Sequence, residues 1–283
     1  MILGLINHHI IKYSLLFLAL FCYSCSDSVS QEAGEGQVVE SIEPPTDEDS
    51  IPAPVYPPHI DSLLNLDFVR GQFDPSGHPQ FERVEDKYTD GAGGYYLQRD
   101  AYAAFRDMHA AADADGIRLT IISATRNFNR QKVIWEAKWN GQRLLEGKYK
   151  ADEVHPDPLE RALAILRFSS MPGTSRHHWG TDLDVNALVN RYFKSGYGLE
   201  VYEWLLENAS DYGFCQPYTA GRPYGYEEER WHWSYLPVSV PLTRFARENA
   251  TDADITGFEG AEVAEEIGVL EKYILGINAD CVD

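Results

Sequence analysis

The sequence predicts an α+β domain in which helices flank a small antiparallel sheet. Apolar side chains recur at helical spacing in several long segments, for example over residues 98–114. Two shorter segments, 181–187 and 231–235, instead alternate apolar and polar residues, which is typical of strands with one apolar face. Helices mixed with short hairpin-like strands favour an α+β arrangement.

The predicted elements follow one another along the chain from residue 98 onward. Helices are predicted at 98–114, 131–145, 159–168, 199–212 and 261–275, and strands at 117–122, 181–187 and 231–235. The first strand delivers Arg126 to the loop beyond its end. In the second, a period of two places Asp182 and Asp184 on the same face. In the third, His232 points away from its tryptophan neighbours, towards the polar side.

The N-terminus has the composition of a targeting segment. Lys12 precedes the apolar run at 15–22, which is too short and too close to the start for an ordinary membrane span. Small residues then flank Cys25, as in a bacterial lipoprotein signal, where the cysteine becomes the acylated first residue. We therefore expect residues 1–25 to be a lipoprotein-type signal that anchors the chain to a membrane. A plain secretory peptide and an uncleaved anchor remain alternatives.

The rest of the chain divides into three predicted parts. Residues 26–60 form a flexible, acidic, proline-rich tether, because this composition cannot bury enough apolar surface to fold. Residues 61–240 form the main folded domain. Residues 241–283 form a C-terminal helical appendage in which no chemistry is visible. Outside the cytoplasm Cys215 and Cys281 are able to form a disulfide, but their spacing alone leaves the pairing open.

Length and charge limit the classes of function. The 283 residues suit one domain with appendages, and they include enough apolar side chains for a substantial core. The formal net charge of −20, with no basic stripe, argues against a nucleic-acid partner. We expect the chain to be monomeric.

Two segments rich in histidine and acid carry the candidate chemistry. Residues 175–184 supply His177 and Asp184, and residues 229–233 supply His232, with Glu229 three residues before it. Three protein ligands with an open fourth position describe a catalytic zinc site rather than a structural one. Two imidazoles and one carboxylate also suit zinc better than calcium. Glu229 is the candidate general base that activates the attacking water.

These segments resemble the VanY-type zinc D-alanyl-D-alanine carboxypeptidases, metallopeptidases that act on bacterial cell-wall peptides. The family patterns are Ser-x-His-x-x-Gly-x-Ala-x-Asp and Glu-x-Trp-His, matched here by Ser175, His177, Gly180, Asp184, Glu229, Trp231 and His232. Residues 123–131 resemble a third family segment, Ser-Gly-Tyr-Arg-Ser-x-x-x-Gln, with Arg126 and Gln131 in register. In the first of these patterns one position departs, because Asp182 stands where the family usually has alanine. The resemblance covers roughly residues 95 to 237, and three motifs in order are far more specific than one.

The resemblance implies a fold shared with the hedgehog signalling domain, one zinc ion held by His177, Asp184 and His232, and catalysis by Glu229 and Arg126. It also implies that Arg126, Gln131 and Ser175 bind the substrate, either by clamping its terminal carboxylate or by steadying an oxyanion. Asp182 could orient a ligand imidazole, lie in solvent, or favour a cationic substrate group. His178, expected in an extended segment, would face away from His177 and serve in packing.

The predicted function is removal of the terminal D-alanine from peptidoglycan stem peptides by an exported, membrane-anchored enzyme of the cell envelope or periplasm. L,D-carboxypeptidase, D-Ala-D-Ala dipeptidase and endopeptidase activities would use the same residues, and the sequence does not choose among them. A rival from another class is a noncatalytic, zinc-containing module that binds the envelope. Loss of Glu229 or of a ligand would favour that rival, and neither is lost.

Overall fold

The computed structural model describes residues 56–282, all of which belong to one compact unit. The predicted signal at 1–25, with Cys25, and tether residues 26–55 lie outside the described residues. Tyr56 and Ile60, at the end of the predicted tether, contact the domain: Arg244 donates to Tyr56 Oη, and Ile60 is buried in an apolar cluster. The domain boundaries remain predictions.

Helices and strands alternate along the described chain. The α-helices are α1 (Leu66–Val69), α2 (Arg99–Ala114), α3 (Phe128–Trp139), α4 (Ala151–Val154), α5 (Pro158–Leu166), α6 (Gly196–Asn208), α7 (Leu236–Asn249) and α8 (Ala264–Ile267). The strands are β1 (Phe81–Arg83), β2 (Tyr96–Gln98), β3 (Ile121–Ser123), β4 (Asp182–Val185), β5 (Phe214–Cys215) and β6 (His232–Tyr235). Short 3-10 turns lie at Ile60–Ser62, Asp86–Tyr88, Arg176–Trp179, Tyr192–Lys194, Ala209–Tyr212, Asp252–Asp254, Ala261–Val263 and Ala279–Cys281, and a π-turn at Leu270–Ile274.

The central sheet has four strands in the order β3-β4-β6-β5, and all its pairs are antiparallel. Strands β1 and β2 form a separate antiparallel pair. In the central ladder Asp184 lies opposite His232, and Asp182 lies opposite Ser234. The predicted α+β class with a small antiparallel sheet is confirmed. The register explains how two distant sequence motifs meet.

The two faces of β4 differ in chemistry as the alternation predicted. Leu183 and Val185 are fully buried in an apolar cluster with side chains from α2 and α6. Asp182 and Asp184 point to the other face, and they are also buried. The polar face of the sheet is therefore enclosed by protein, so every polar group on it needs a hydrogen-bonding partner inside the fold.

Several predicted elements differ in extent from the observed ones. The strand predicted at 117–122 pairs in the sheet only over Ile121–Ser123. The helix predicted at 131–145 begins earlier, at Phe128, because the Asn127 side chain accepts a hydrogen bond from the backbone of Arg130 and caps it. The single helix predicted at 261–275 is broken into short turns around Gly268, which has a φ of +71°.

Helix α7 is not among the elements predicted from the sequence, and it contains two prolines, Pro237 and Pro241. Pro237 lies in the first turn, where the missing backbone N–H has no helical partner anyway. Pro241 lies inside the helix, a position that ordinarily disfavours helix formation. The buried residues Val238, Val240 and Leu242 show that tertiary packing stabilises the helix. Local propensity alone does not indicate this helix.

The C-terminal segment is joined to the sheet domain covalently and by side-chain contacts. Cys215 in β5 and Cys281 form a disulfide, with their Cα atoms 5.7 Å apart. Trp135 Nε1 in α3 donates to the carbonyl of Glu259 over 2.8 Å, and Lys132 Nζ donates to that of Gly257 over 2.7 Å. Among residues 56–282, no helix is both long and apolar enough to span a bilayer.

Candidate active site

Three side chains from separate parts of the chain meet at the polar face of the sheet. His177 comes from the 3-10 turn at Arg176–Trp179, Asp184 from β4 and His232 from β6. One ligand atom from each lies within 4.8 Å of the others. Asp184 Oδ1 lies 3.4 Å from His177 Nε2 and 3.0 Å from His232 Nδ1. The structure thus brings together all three predicted metal ligands.

Hydrogen bonds behind the two imidazoles determine which nitrogen faces the cluster. His177 Nδ1 lies 3.0 Å from the carbonyl of Ala124 and donates to it, which leaves Nε2 facing Asp184. His232 Nε2 lies 2.8 Å from Asp182 Oδ2 and donates to it, which leaves Nδ1 facing Asp184. With the proton on each outward nitrogen, each inward nitrogen presents a lone pair once the imidazole is neutral, as metal binding requires.

The donor set fits a zinc ion. Ligand atoms held about 2.0–2.2 Å from a tetrahedral zinc lie roughly 3.3 Å from one another. The two nitrogen–oxygen separations of 3.4 and 3.0 Å are of this size. Two nitrogens and one carboxylate oxygen form the three-ligand set of catalytic zinc sites, with a fourth position left for water or substrate.

The charges of the ligand groups also suit metal binding. Burial, together with the nearby Arg126 charge, lowers the pKa of His177 to about 4, so that its imidazole is neutral. Burial alone would raise the pKa of Asp184, but both histidines outweigh it and hold this pKa well below its usual range. Burial alone would lower the pKa of His232, yet the hydrogen bonds to Asp182 and Asp184 raise it to about 9. The site therefore has a strong preference for a cation beside Asp184.

Gly180 makes the turn that leads from His177 into β4. Its φ is +70°, a left-handed conformation that other residues adopt at a cost. A Cβ atom at this position would lie 2.3 Å from Phe81 Cε1 and 2.9 Å from the backbone nitrogen of Gln98. Both the conformation and the space require glycine.

His178 does not lie in an extended segment as expected, because the chain forms a 3-10 turn there. It is fully buried, with Nδ1 donating to the carbonyl of Arg126 and Nε2 accepting from the backbone of Gly173 over 3.0 Å. Burial lowers its pKa to about 3. His178 therefore ties the Arg126 loop to the metal-ligand turn and takes no part in the cluster.

Glu229 lies beside the cluster at the end of the loop that leads into β6. Its Oε2 is 3.7 Å from His232 Nδ1, and the residue is 7% exposed. Its backbone is held by hydrogen bonds to Tyr218 and from Gln216. Burial raises the pKa of its carboxyl to about 8, with His232 opposing the rise. A carboxyl group with a pKa near neutrality is suited to accept and return a proton.

The three predicted substrate-binding side chains have unused hydrogen-bonding capacity. Arg126 Nη1 donates to Ser123 Oγ over 2.8 Å and lies 3.9 Å from Asp184 Oδ2, while its Nε has no partner among the described residues. Gln131 Oε1 and Ser175 Oγ are buried and likewise lack partners among residues 56–282. Buried polar groups left without partners are costly, so these atoms are candidates to bind a ligand. Their role as substrate contacts remains a prediction.

Sequence reasoning missed two groups at the site and left a third open. Lys138 donates to Ser169 Oγ, and burial lowers its pKa to about 8. It follows Gln131 by two helical turns on α3, a spacing that would have placed it on the same face. The Tyr218 ring packs 4.6 Å from the His232 ring, and no motif marked it. Asp182, for which three roles were open, is buried against His232 rather than in solvent.

The fold and the cluster define a mononuclear metal centre of the catalytic type, with a carboxyl group placed to handle a proton. Residues 94–238, just over half of the chain, match the profile of the family VanY, D-alanyl-D-alanine carboxypeptidase. This chain belongs to the VanY family, as the three motifs predicted.

Curated relatives agree with that assignment. The candidate carboxypeptidase YodJ of Bacillus subtilis (strain 168) is 27% identical over 185 residues, which cover 64% of this chain and 61% of YodJ. The D-alanyl-D-alanine carboxypeptidase of Enterococcus faecalis (strain ATCC 700802 / V583) is 30% identical over 137 residues, or 48% of this chain and 46% of the relative. The chain thus spans about half to three fifths of the length of these relatives.

Solved structures show weaker likeness. The LdcB LD-carboxypeptidase has a TM-score of 0.45 and 22% identity, with 72% of this chain and 81% of that chain covered. VanYB in complex with D-alanine-D-alanine has a TM-score of 0.43 and 24% identity, covering 62% and 86%. A VanY D,D-pentapeptidase variant in complex with Zn(II) has a TM-score of 0.40 and 24% identity, covering 58% and 88%.

Proposed function

We propose that this protein is a zinc-dependent D-alanyl-D-alanine carboxypeptidase that trims peptidoglycan stem peptides. The observation that carries the proposal is the meeting of His177, Asp184 and His232 with the buried carboxyl group of Glu229 beside them. Family membership supports the substrate class, because the family is described as D-alanyl-D-alanine carboxypeptidase.

One zinc ion would be held by His177 Nε2, an Asp184 oxygen and His232 Nδ1. When bound, it supplies a Lewis acid that polarises the scissile carbonyl and makes the attacking water more acidic. Glu229 takes a proton from that water as the oxygen–carbon bond forms. It then returns the proton to the leaving amine as the carbon–nitrogen bond breaks, releasing D-alanine and a shortened stem.

We propose that Arg126 recognises the free carboxylate at the end of the stem. Its guanidinium is largely buried, its Nη1 lies 3.9 Å from Asp184 Oδ2, and its Nε has no partner among the described residues. A fork of N–H donors binds a carboxylate at two points, which selects for a chain terminus. Gln131 Oε1 and Ser175 Oγ are further buried polar atoms that lack a hydrogen-bond partner among residues 56–282. A terminal carboxylate held there would place the last peptide bond near the metal ligands.

Incubation of purified muropeptides with the full chain, followed by mass spectrometry, tests the proposal. Loss of one alanine from pentapeptide stems is expected, together with its abolition by a chelator and its return on addition of zinc. Loss of the terminal residue from tetrapeptides alone would replace the proposal with an L,D-carboxypeptidase, and release of a dipeptide with a dipeptidase.

A variant that keeps zinc distinguishes catalysis from binding. Glu229→Gln removes the proton acceptor and preserves the size of the side chain, so zinc should still bind while turnover is lost. Stems that bind to the zinc-loaded wild type without being cleaved would instead establish the noncatalytic envelope-binding module.

We further propose that the chain is exported to the cell envelope and anchored through a lipid on Cys25. The Cys215–Cys281 disulfide supports export, because disulfides persist mainly in oxidising compartments. Fatty-acid labelling in a bacterial host should mark the wild type and not Cys25→Ser, and the variant should move to the soluble envelope fraction. Labelling that survives in Cys25→Ser would contradict anchoring at this residue.

A further inference from the structure

Arg176 lies between two motif residues, yet its side chain is fully buried away from solvent. Its Nε donates to Asp182 Oδ2 over 3.1 Å, its Nη1 to Thr243 Oγ1 over 2.8 Å, and its Nη2 to Ser234 Oγ over 2.9 Å. The guanidinium also stacks on the Trp179 ring, 4.6 Å from its centroid. Each guanidinium nitrogen is therefore held by a partner within the protein.

Asp182 is held equally firmly. Its Oδ1 accepts from Thr181 Oγ1 and from Ser234 Oγ, both over 2.7 Å. Its Oδ2 accepts from Arg176 Nε and, over 2.8 Å, from His232 Nε2. A carboxylate that accepts four hydrogen bonds in a fully buried position has one orientation available. His232 therefore meets a fixed acceptor on the side opposite the metal cluster.

We propose that Arg176 and Asp182 form a buried positioning pair, which holds His232 with its proton on Nε2 and its Nδ1 lone pair directed at the metal. Asp182 is the positioning residue, since it touches the ligand imidazole, and Arg176 orients Asp182 and balances its charge. The inference rests on the proposed metal site and assigns a role to the one motif position where this chain has aspartate in place of the family's alanine.

The two ligand histidines show why His232 needs such a partner. His177 obtains its orientation from a backbone carbonyl, that of Ala124, which the fold supplies without any particular side chain. His232 lies on the central strand β6, opposite Asp184 in β4, and its Nε2 meets a side chain, that of Asp182, instead. Carboxylates in this position orient the imidazole and make it a more basic ligand.

The affinity of the protein for zinc tests the positioning role of Arg176 and Asp182, and it can be measured without any catalytic turnover. The full-length wild type and variants would be titrated with zinc in competition with a chromophoric chelator. Asp182→Ala should weaken zinc binding by about 10- to 100-fold, the usual effect of losing such a partner. Asp182→Asn keeps an oxygen that accepts from Nε2, so it should restore most of that affinity. Equal losses in the two variants would contradict a positioning role.

Asp182→Ala leaves the Arg176 charge buried without its partner, which could prevent folding. The double variant Arg176→Met with Asp182→Ala removes both charges, and exchanging a whole buried ion pair for apolar residues is often neutral for stability. The double variant should therefore fold, and it should still bind zinc about 10- to 100-fold more weakly than the wild type. Wild-type zinc affinity in the double variant would overturn the proposal.

A spectroscopic measurement needs no variant at all. Nitrogen NMR of the zinc-loaded wild type should show His232 protonated at Nε2 and coordinated through Nδ1, with a slowly exchanging ring N–H. Coordination through Nε2 would overturn the inference.

Asp115→Ala is the matched control for the zinc titrations. Asp115 is a carboxylate that accepts a hydrogen bond from Trp204 Nε1 at 2.9 Å, far along the chain from the ligands. It should leave zinc affinity unchanged.

Failure of the proposed function gives a different result. If the wild type binds no zinc, or if His232→Ala binds it as tightly as the wild type, then the metal site itself is wrong. Suppose instead that the wild type binds zinc through His232, and that both Asp182 variants bind zinc as tightly as the wild type. Then only the positioning pair is wrong.

Discussion

The two faces of the β4–β6 ladder are equally buried, but they are stabilised in different ways. On one face Leu183 and Val185 join an apolar cluster in which any well-fitting hydrocarbon side chain would serve. On the other, Asp182, Asp184 and His232 depend on particular partners at hydrogen-bonding distance. The comparison teaches that burial by itself does not distinguish core from site; what distinguishes them is whether a side chain's partners are interchangeable.

The largest effect is expected at the polar face, from Glu229→Gln. Proton transfer by a positioned side chain contributes about 10²- to 10⁴-fold to a rate, so kcat should fall by that amount or more. The free energy of unfolding should change little, because the amide fills the same volume. Steady-state kinetics and thermal unfolding measure the two quantities, and retention of wild-type kcat would remove Glu229 from the mechanism.

The next effect concerns the apolar face, through Leu183→Ala. Truncation of a fully buried leucine leaves a cavity and costs about 2–5 kcal/mol in the free energy of unfolding. Zinc affinity should stay near that of the wild type, although Leu183 lies between two site residues. Denaturant unfolding and zinc titration check this, and a large loss of zinc affinity would show that the two faces are coupled.

Removal of zinc should destabilise the folded protein by an amount that depends on the zinc concentration relative to its dissociation constant. A ligand that binds only the folded state at 100 times its dissociation constant stabilises it by about 2.7 kcal/mol. Chelation should therefore lower the melting temperature of the wild type and of Leu183→Ala. The loss in the free energy of unfolding should be similar in the two proteins. A chelator that does not change the melting temperature of the zinc-loaded wild type would indicate that no metal binds to the folded protein.

The smallest effect is expected at the edge of the polar network, from Ser239→Ala. Ser239 Oγ lies 3.0 Å from Ser234 Oγ, so the variant loses one neutral hydrogen bond, worth about 1 kcal/mol of unfolding free energy. Zinc affinity should not change, because Asp182 keeps its other partners. Val238→Ala on the same helix, which loses only apolar contacts, is the matched comparison.

The sequence predicted those features of the fold and the candidate site that depend on a local pattern or on a motif. Alternation over 181–187 correctly placed Asp182 and Asp184 on one face, and motif order selected the three residues that meet at the cluster. Family membership and fold class followed from the same residues. These features were predictable because period-two alternation and the spacing of residues within each motif can be read from short contiguous segments.

Features that depend on tertiary packing were not predictable. Helix α7 contains two prolines, and the burial of its residues 238–243 outweighs their local preference. The partners of Asp182 could not be chosen, because they depend on how separate elements approach: Arg176 comes from a 3-10 turn and is itself held by Ser234 in β6 and Thr243 in α7. The pairing of Cys215 with Cys281 depends in the same way on how distant segments approach.

The Cys215–Cys281 bond closes a covalent ring around everything between these two residues, which are 66 positions apart. That ring includes the Glu229 loop, strand β6 with His232, and helix α7. A protease that cuts once within it cannot release a fragment, because both new ends remain attached through sulfur. Under the proposed export to a cell envelope, where proteases are present, a single cut would thus leave Glu229 and His232 tethered to His177 and Asp184.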